Sequence, residues 1–113
     1  VIPYARSVRG HLLNITKDKV VGLSPMSEEM AMIFAQNTKQ KMQTDWAIAE
    51  WGRAGPGGSV YGFEPGSCVV GISGPRSLST FIRTGKDRRH ENMALFRNSA
   101  LALFADALSE AES

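Results

Sequence analysis

The sequence has little of what marks a disulfide scaffold, a metal site or a membrane span. Its one cysteine, Cys68, cannot form an internal disulfide, and together with the two histidines it shows no metal-ligand spacing. No apolar run approaches the roughly 20 residues of a bilayer-spanning helix, and no signal-peptide pattern precedes the first predicted strand. We therefore expect a soluble protein without a bound metal, from a reducing compartment such as the cytoplasm or an organelle interior, with Cys68 packed in the core.

A large charge of one sign is also missing, since 13 Lys and Arg against 11 Asp and Glu give a net charge of +2. The tightest basic group, in residues 83–90, is too short for a polybasic tail and has no interleaved aromatic residues for base stacking, so we expect no nucleic-acid partner. A length of 113 residues predicts one domain, 1–113, with a single modest core.

Apolar spacing and turn residues predict the secondary structure. A strand ends within 1–4, helices cover 6–13, 27–42 and 90–108, strands cover 46–49, 68–72 and 78–83, and 17–23 is a connector that is extended around Val20 and Val21. The order of these elements predicts an α/β fold, a three-layer sandwich in which helices cover a mixed β-sheet. The expected core residues of the two long helices are Met30, Ile33, Phe34 and Met42 in the first, and Met93, Phe96, Ala100, Leu103, Phe104 and Leu108 in the second.

The middle of the chain carries the clearest binding pattern. Residues 46–49 are small or apolar on both faces, which is typical of a strand covered on both sides, and a glycine-rich loop follows at 52–58. Glycines allow backbone N–H groups to approach a phosphate or carboxylate closely. The loop matches neither the dinucleotide fingerprint nor a Walker phosphate loop, and its composition is equally typical of a plain connection.

Five segments, taken in order, carry a family resemblance. They are Val1-Ile2-Pro3-Tyr4 with Leu12-Leu13, Met26-Ser27-Glu28-Glu29-Met30, Ala47-Ile48-Ala49-Glu50 continuing into Gly52-Arg53-Ala54-Gly55-Pro56-Gly57-Gly58, Pro65 before a strand, and Gly85-Lys86-Asp87-Arg88 leading into Glu91-Asn92-Met93. The set resembles the C-terminal domain of CinA, competence/damage-inducible protein A. The resemblance implies a nicotinamide-nucleotide amidase, which hydrolyses the carboxamide of nicotinamide mononucleotide to nicotinic acid mononucleotide and ammonia without a metal or cofactor.

The family domain opens with a strand and helix carrying a Glu-Ser-x-Thr-Gly-Gly motif, whose serine is the nucleophile that the resemblance implies. We expect that opening strand and helix to have no counterpart in this chain. The resemblance implies catalytic positions at Tyr4, Arg9 and Arg88, with Arg89 an equal candidate for the last. Arg9 stands where the family has a lysine, and an arginine stays protonated and cannot take a proton from a serine.

The resemblance also implies a ligand-binding segment over the central loop. Its members are Trp51, Gly52, Arg53, Ala54, Gly55, Pro56 and Gly57. Trp51 replaces a family serine or threonine, and its indole either fills the pocket or lies flat and stacks on an aromatic base, with Arg53 or Arg88 pairing a phosphate.

Two functions follow from the resemblance. In the first, the chain is a CinA-like domain with a degenerate amidase site, a non-catalytic subunit or interaction module that retains nucleotide or phosphate binding. In the second, it is an active amidohydrolase completed by a missing segment or a partner chain. Both predict partners, either a second copy of the chain or a larger protein assembly, and a ligand similar to nicotinamide mononucleotide.

Overall fold

The computed structural model describes residues 6–57 and 63–112, which form helices on both faces of a β-sheet. The elements are α1 Arg6–Leu13, α2 Lys17–Val20, α3 Glu28–Met42, β1 Ala47–Arg53, β2 Ser67–Ser73, β3 Leu78–Arg83 and α4 Arg89–Ala111. The strand predicted at 1–4, and with it Tyr4, lies outside the described residues. None of the described helices is long and apolar enough to cross a membrane.

The described strands form one sheet in the order β1-β2-β3, with both pairs antiparallel. The register places Trp51 opposite Val69 and Val69 opposite Phe81, so these side chains share one face. All seven residues of β2 are buried, because α3 covers one face of this strand and α4 covers the other. The result is the predicted three-layer α/β sandwich, although the sheet was predicted to be mixed and its described strands pair only in antiparallel fashion.

Each face of the sheet has its own core. The α3-side core is built on Leu13, Ile15 and Phe34, with Trp51 and Ala49 packed against it from β1. The α4-side core contains Cys68, Val70, Ile72, Phe96, Ala100 and Ala107 among its buried residues. Cys68, Val70 and Ile72 of β2 belong to the α4-side core, and the residues between them face α3, as the two-residue period of a strand requires. Cys68 is fully buried, as predicted.

Helix α3 begins where the sequence predicts and packs tightly on the sheet. Ser27 is its N-cap, and the Ser27 hydroxyl accepts a hydrogen bond from the Met30 amide at 3.1 Å. Gly71 of β2 allows the close approach, since a Cβ at that position would be 2.7 Å from the backbone carbonyl of Ala31. Helix and strand backbones are therefore in direct contact at the centre of the fold.

Two predictions of local structure are wrong. Residues 17–20 form a helical turn instead of an extended connector, and only Val21 after them is extended. The Thr16 hydroxyl donates to the Asp18 carboxylate at the start of this turn, which favours helical backbone over the extended preference of the two valines. The strand predicted at 46–49 runs on to Arg53, and Ile48 and Glu50 are exposed, because β1 is the outer strand of the described sheet.

Three of the expected core residues are exposed. Met42, Met93 and Leu108 have 40%, 49% and 39% of their surface accessible. Met42 is the last residue of α3, beyond the part that the sheet covers. On α4 the buried positions include Asn92, Phe96 and Ala100, so the buried stripe is rotated away from Met93 and Leu108.

Candidate functional site

Three chain segments meet at the end of β1. The Gly66 amide donates to the Arg53 carbonyl at 2.6 Å, and the Thr84 amide donates to the Gly66 carbonyl at 2.9 Å. Gly66 has φ +91°, and a Cβ there would be 2.9 Å from the Lys86 carbonyl oxygen. Only glycine fits a backbone of that conformation in that space. Residues 53–57, 63–66 and 84–89 are thus brought to one place.

Gly55 is held in the centre of this junction. It has φ +86°, and a Cβ at this position would be 2.5 Å from Oδ1 of Asp87 and 3.0 Å from Cβ of Pro65. The Asp87 carboxylate therefore packs directly on the glycine. We call residues 53–57 the glycine loop. At Gly55 the side chains of Asp87 and Pro65 come so close to the backbone that any residue larger than glycine would displace them.

The two arginines at the start of α4 have different environments. Arg89 Nη1 donates to the Gly55 carbonyl at 3.4 Å, a long but direct contact with the glycine loop. The Arg88 side chain is 81% exposed, with Nη1 3.8 Å from Oε1 of Glu91. Sequence alone left these two arginines as equal candidates for one position. Of the two, Arg89 is the one with a hydrogen bond to the glycine loop among the described residues.

Arg53 reaches the other end of the glycine loop. A Cβ on Gly57 would be 3.3 Å from Nη2 of Arg53, so the guanidinium lies beside this glycine. The Arg53 Nε is buried and has no hydrogen-bond partner among the described residues. A buried donor without a partner is costly in a folded protein, and a bound acceptor would satisfy it.

Asn92 is the residue of this junction that the sequence analysis did not single out for the site. Its amide Nδ2 donates to the carbonyls of Ala54 and Lys86, both at 2.9 Å, and its Oδ1 accepts from the Thr84 hydroxyl. It is fully buried in the first turn of α4. The pattern did hold a signal, since Asn92 stands four residues before Phe96 on the stripe that α4 buries.

The Trp51 indole is engaged on the α3 side of the sheet. Its ring N–H donates to the Pro25 carbonyl at 3.0 Å, and its ring centroid lies 5.1 Å from that of Phe34 at an interplanar angle of 57°. Edge-tilted aromatic pairs of this kind are favourable packing contacts. The N–H and part of the ring are therefore committed to contacts within the fold.

Arg9 joins the same aromatic group. Arg9 lies on α1, and its Cζ is 5.4 Å from the centroid of the Phe34 ring, in the geometry of a cation–π contact. One continuous contact group therefore contains Arg9, Phe34 and Trp51. Trp51 lies on β1, two residues before Arg53, where the glycine loop begins. The structure thus connects Arg9 to Trp51 through Phe34, and it places Arg53 and Arg89 against the glycine loop, at Gly57 and Gly55 respectively.

The Cys68 thiol belongs to the core and not to the candidate site. Burial raises the pKa of the Cys68 thiol well above its ordinary value, and the nearby Glu50 carboxylate raises it further, with Cys68 Sγ donating to Glu50 Oε1 at 3.3 Å. The thiol is accordingly protonated and unreactive. Across the described ranges, no three His, Cys, Asp or Glu side chains are grouped in a way that could hold a metal ion.

Comparison with known proteins identifies the family. The CinA C-terminal domain profile matches residues 1–108. A CinA-like protein of Prochlorococcus marinus strain AS9601 is 37% identical over 83 residues, 74% of this chain and 20% of that protein. A CinA-like protein of Parasynechococcus marenigrum is 30% identical over 89 residues, 79% of this chain and 21% of that protein. The chain thus spans about a fifth of these relatives.

Solved structures support the same fold. The competence damage-inducible protein A of Klebsiella pneumoniae superposes with a TM-score of 0.79 at 19% identity, covering 95% of this chain and 66% of that one. A CinA superfamily protein of Escherichia coli gives 0.78 at 20% identity, covering 91% and 60%. At such low sequence identity, these two structures show only that the fold is shared. Membership of the family follows from the match to the domain profile and from the CinA-like relatives. The chain belongs to the CinA C-terminal domain family.

Proposed function

We propose that this chain is a non-catalytic CinA-like domain that binds a phosphate-bearing ligand of nucleotide type at the glycine loop, and that it acts as a subunit or interaction module. One observation carries the proposal. Two guanidinium groups lie against the loop, with Arg89 Nη1 3.4 Å from the Gly55 carbonyl and Arg53 Nη2 beside Gly57. Guanidinium groups are suited to phosphate, because their planar N–H donors match its oxygens.

The charge and shape of the loop support an anionic ligand. Asp87 is the carboxylate packed on Gly55, and the guanidinium groups of Arg53 and Arg89 each lie against the same loop. Arg53 Nε is buried and has no hydrogen-bond partner among the described residues, so we expect Arg53 to meet a bound oxygen through the Nη2 that lies beside Gly57. Gly57 has φ +136° and leaves its backbone open to close approach beside the Arg53 guanidinium, whereas the Cβ side of Gly55 is filled by Asp87 and Pro65. Because Arg89 is exposed, we expect an affinity in the micromolar to millimolar range that falls with added salt.

Hydrolysis is disfavoured by the chemistry of Arg9 and Trp51. By the resemblance, Arg9 occupies the position of the family lysine, which as a neutral amine could accept a proton from a serine. A guanidinium stays protonated at any working pH, and this one also lies over the Phe34 ring. Trp51 takes the place of a small hydroxyl residue and has its N–H bound to the Pro25 carbonyl. Neither residue can supply the acid–base step of amide cleavage.

A titration with matched ligands tests this proposal. We expect nicotinamide mononucleotide and inorganic phosphate to bind, and nicotinamide riboside, which lacks the phosphate, to bind at least about tenfold more weakly. Calorimetry or amide chemical shifts would follow binding. Ammonia release from nicotinamide mononucleotide, measured on the same samples, should not rise above a protein-free blank.

The neighbouring arginines supply a matched pair of variants. We expect Arg89→Ala to weaken nicotinamide mononucleotide binding about tenfold, because it removes a charged donor at the loop. Arg88→Ala removes the same charge one residue away and should change affinity by less than about twofold, since that side chain faces solvent. Equal losses in both variants would contradict the site. Sustained ammonia release would overturn the non-catalytic proposal and support an amidohydrolase completed by another segment or chain.

A further inference from the structure

We propose that Asn92 is a positioning residue that sets the distance between the two halves of the anion site, the glycine loop and the segment 84–89. The inference rests on the proposed function, because it concerns how that site is assembled. Asn92 is fully buried, so it does not touch the ligand itself. It acts through the backbone of Ala54 on one side and of Lys86 on the other.

The Asn92 amide makes three hydrogen bonds, which use both of its donors and one of the two lone pairs of its oxygen. Both N–H groups of Nδ2 are donated, to the Ala54 and Lys86 carbonyls at 2.9 Å, and Oδ1 accepts from the Thr84 hydroxyl. A primary amide is the side-chain group that offers two donors on one atom together with an acceptor, and glutamine would carry it one methylene too far. The side chain is therefore matched to this junction in both chemistry and length.

The placement of these bonds connects them to ligand binding. Ala54 directly precedes Gly55, whose carbonyl receives the Arg89 contact at 3.4 Å. Lys86 lies beside Asp87, the carboxylate that packs on Gly55. A shift of either carbonyl released by Asn92 would thus move Arg89 and Asp87 relative to the loop. Directional groups that recognise phosphate lose affinity when their spacing changes by a fraction of an ångström.

Asn92→Asp isolates the two donors, because it keeps size and one acceptor but turns a carboxyl group toward two carbonyl oxygens. We expect the full chain with Asn92→Asp to bind nicotinamide mononucleotide at least about fivefold more weakly, at a temperature where it is fully folded. Thr84→Val should weaken binding in the same direction. Thr84→Ser keeps the hydroxyl and should restore the affinity to within about twofold of the unmodified chain.

Asn37 offers a control for stability alone. Its amide also bridges two carbonyls, donating to Leu13 at 3.0 Å and Asn14 at 3.2 Å, but it lies on α3 away from the glycine loop. Asn37→Ala should lower the melting temperature and leave affinity within about twofold. Unchanged affinity in folded Asn92→Asp and Thr84→Val, or an equal loss in Asn37→Ala, would overturn the positioning role.

Amide hydrogen exchange separates this inference from the proposed function. We expect Asn92→Asp to accelerate exchange in both 54–57 and 84–87, and Asn37→Ala to leave those segments unchanged. If the unmodified chain binds no phosphate ligand, the proposed function fails, while faster exchange in both segments still supports Asn92 as the residue that holds them together. If exchange is unchanged in Asn92→Asp, the inference fails regardless of ligand binding. Should Asn92→Asp not fold, Thr84→Val provides the same two measurements.

Discussion

Replacing Trp51 tests whether its indole belongs to the fold or to a ligand. The indole N–H donates to the Pro25 carbonyl at 3.0 Å, across 26 residues of sequence, and its ring contacts Phe34 at 5.1 Å. Trp51→Phe removes the hydrogen bond but keeps an aromatic ring near Phe34. We expect it to lower the free energy of unfolding by about 1 kcal/mol, the net value of one hydrogen bond.

Trp51→Thr removes the aromatic contact as well as the hydrogen bond. Full truncation of a buried tryptophan costs about 3–5 kcal/mol, and an aromatic pair contributes about 0.5–1.5 kcal/mol of such a loss. Because Trp51 is only half-buried, we expect a loss of about 2–3 kcal/mol. For a chain of 113 residues this corresponds to a fall in Tm of roughly 10 °C.

Urea unfolding followed by far-UV circular dichroism measures these losses without relying on the tryptophan removed. A double-mutant cycle with Phe34→Leu should return a coupling of about 1 kcal/mol, because the two rings are in contact. Nicotinamide mononucleotide affinity should stay within about twofold in Trp51→Phe. The reasoning would be refuted if Trp51→Thr cost less than about 1 kcal/mol, or if Trp51→Phe abolished binding while leaving stability unchanged.

Three further predictions concern close contacts and a buried thiol. Gly71→Ala should destabilise the protein by about 2–3 kcal/mol in thermal unfolding, because the new Cβ would stand 2.7 Å from the Ala31 carbonyl. Gly10→Ala in α1 should be neutral or stabilising, since the nearest atom to its Cβ would be 4.0 Å away. Equal effects of the two substitutions would contradict the close packing at Gly71. Gly55→Ala should weaken phosphate binding and lower Tm, since φ is +86° and Asp87 occupies the space; an unchanged titration would count against the loop. Above its ordinary pKa of 9.0 the Cys68 thiol ionises in the unfolded chain but stays protonated in the native one. The free energy of unfolding should therefore fall as pH rises, by up to about 1.4 kcal/mol per pH unit relative to a Cys68→Ala variant. Parallel curves of stability against pH for the two proteins would contradict this prediction.

The predictions that succeeded rest on short-range patterns. Ser27 followed by two glutamates marked the start of α3, and the strand at 78–83 was placed with its observed bounds from its β-favouring residues. The predictions that failed depended on neighbours distant in sequence. Met93 and Leu108 fit the periodicity of α4, but the angle at which the helix meets the sheet buries Asn92 and Phe96 instead.

The candidate site shows the same division. The glycine-rich segment and the arginines of 85–89 are visible in the sequence, and the ordered segments identify the family. Whether Arg88 or Arg89 contacts the loop depends on where α4 begins, because Arg88 is the N-cap with extended backbone and Arg89 is the first helical residue. Spacing along the chain cannot distinguish two adjacent arginines of that kind.

Local chemistry in the sequence therefore determined the kinship and the helices and strands other than the turn at 17–20, because caps and periodicity need no distant partner. Only the tertiary structure decided that Trp51 donates to a carbonyl 26 residues away and that Asn92 joins Ala54, 38 residues away, to Lys86. The physical reason is that a hydrogen bond acts over about 3 Å, and folding alone brings such separated groups within that distance.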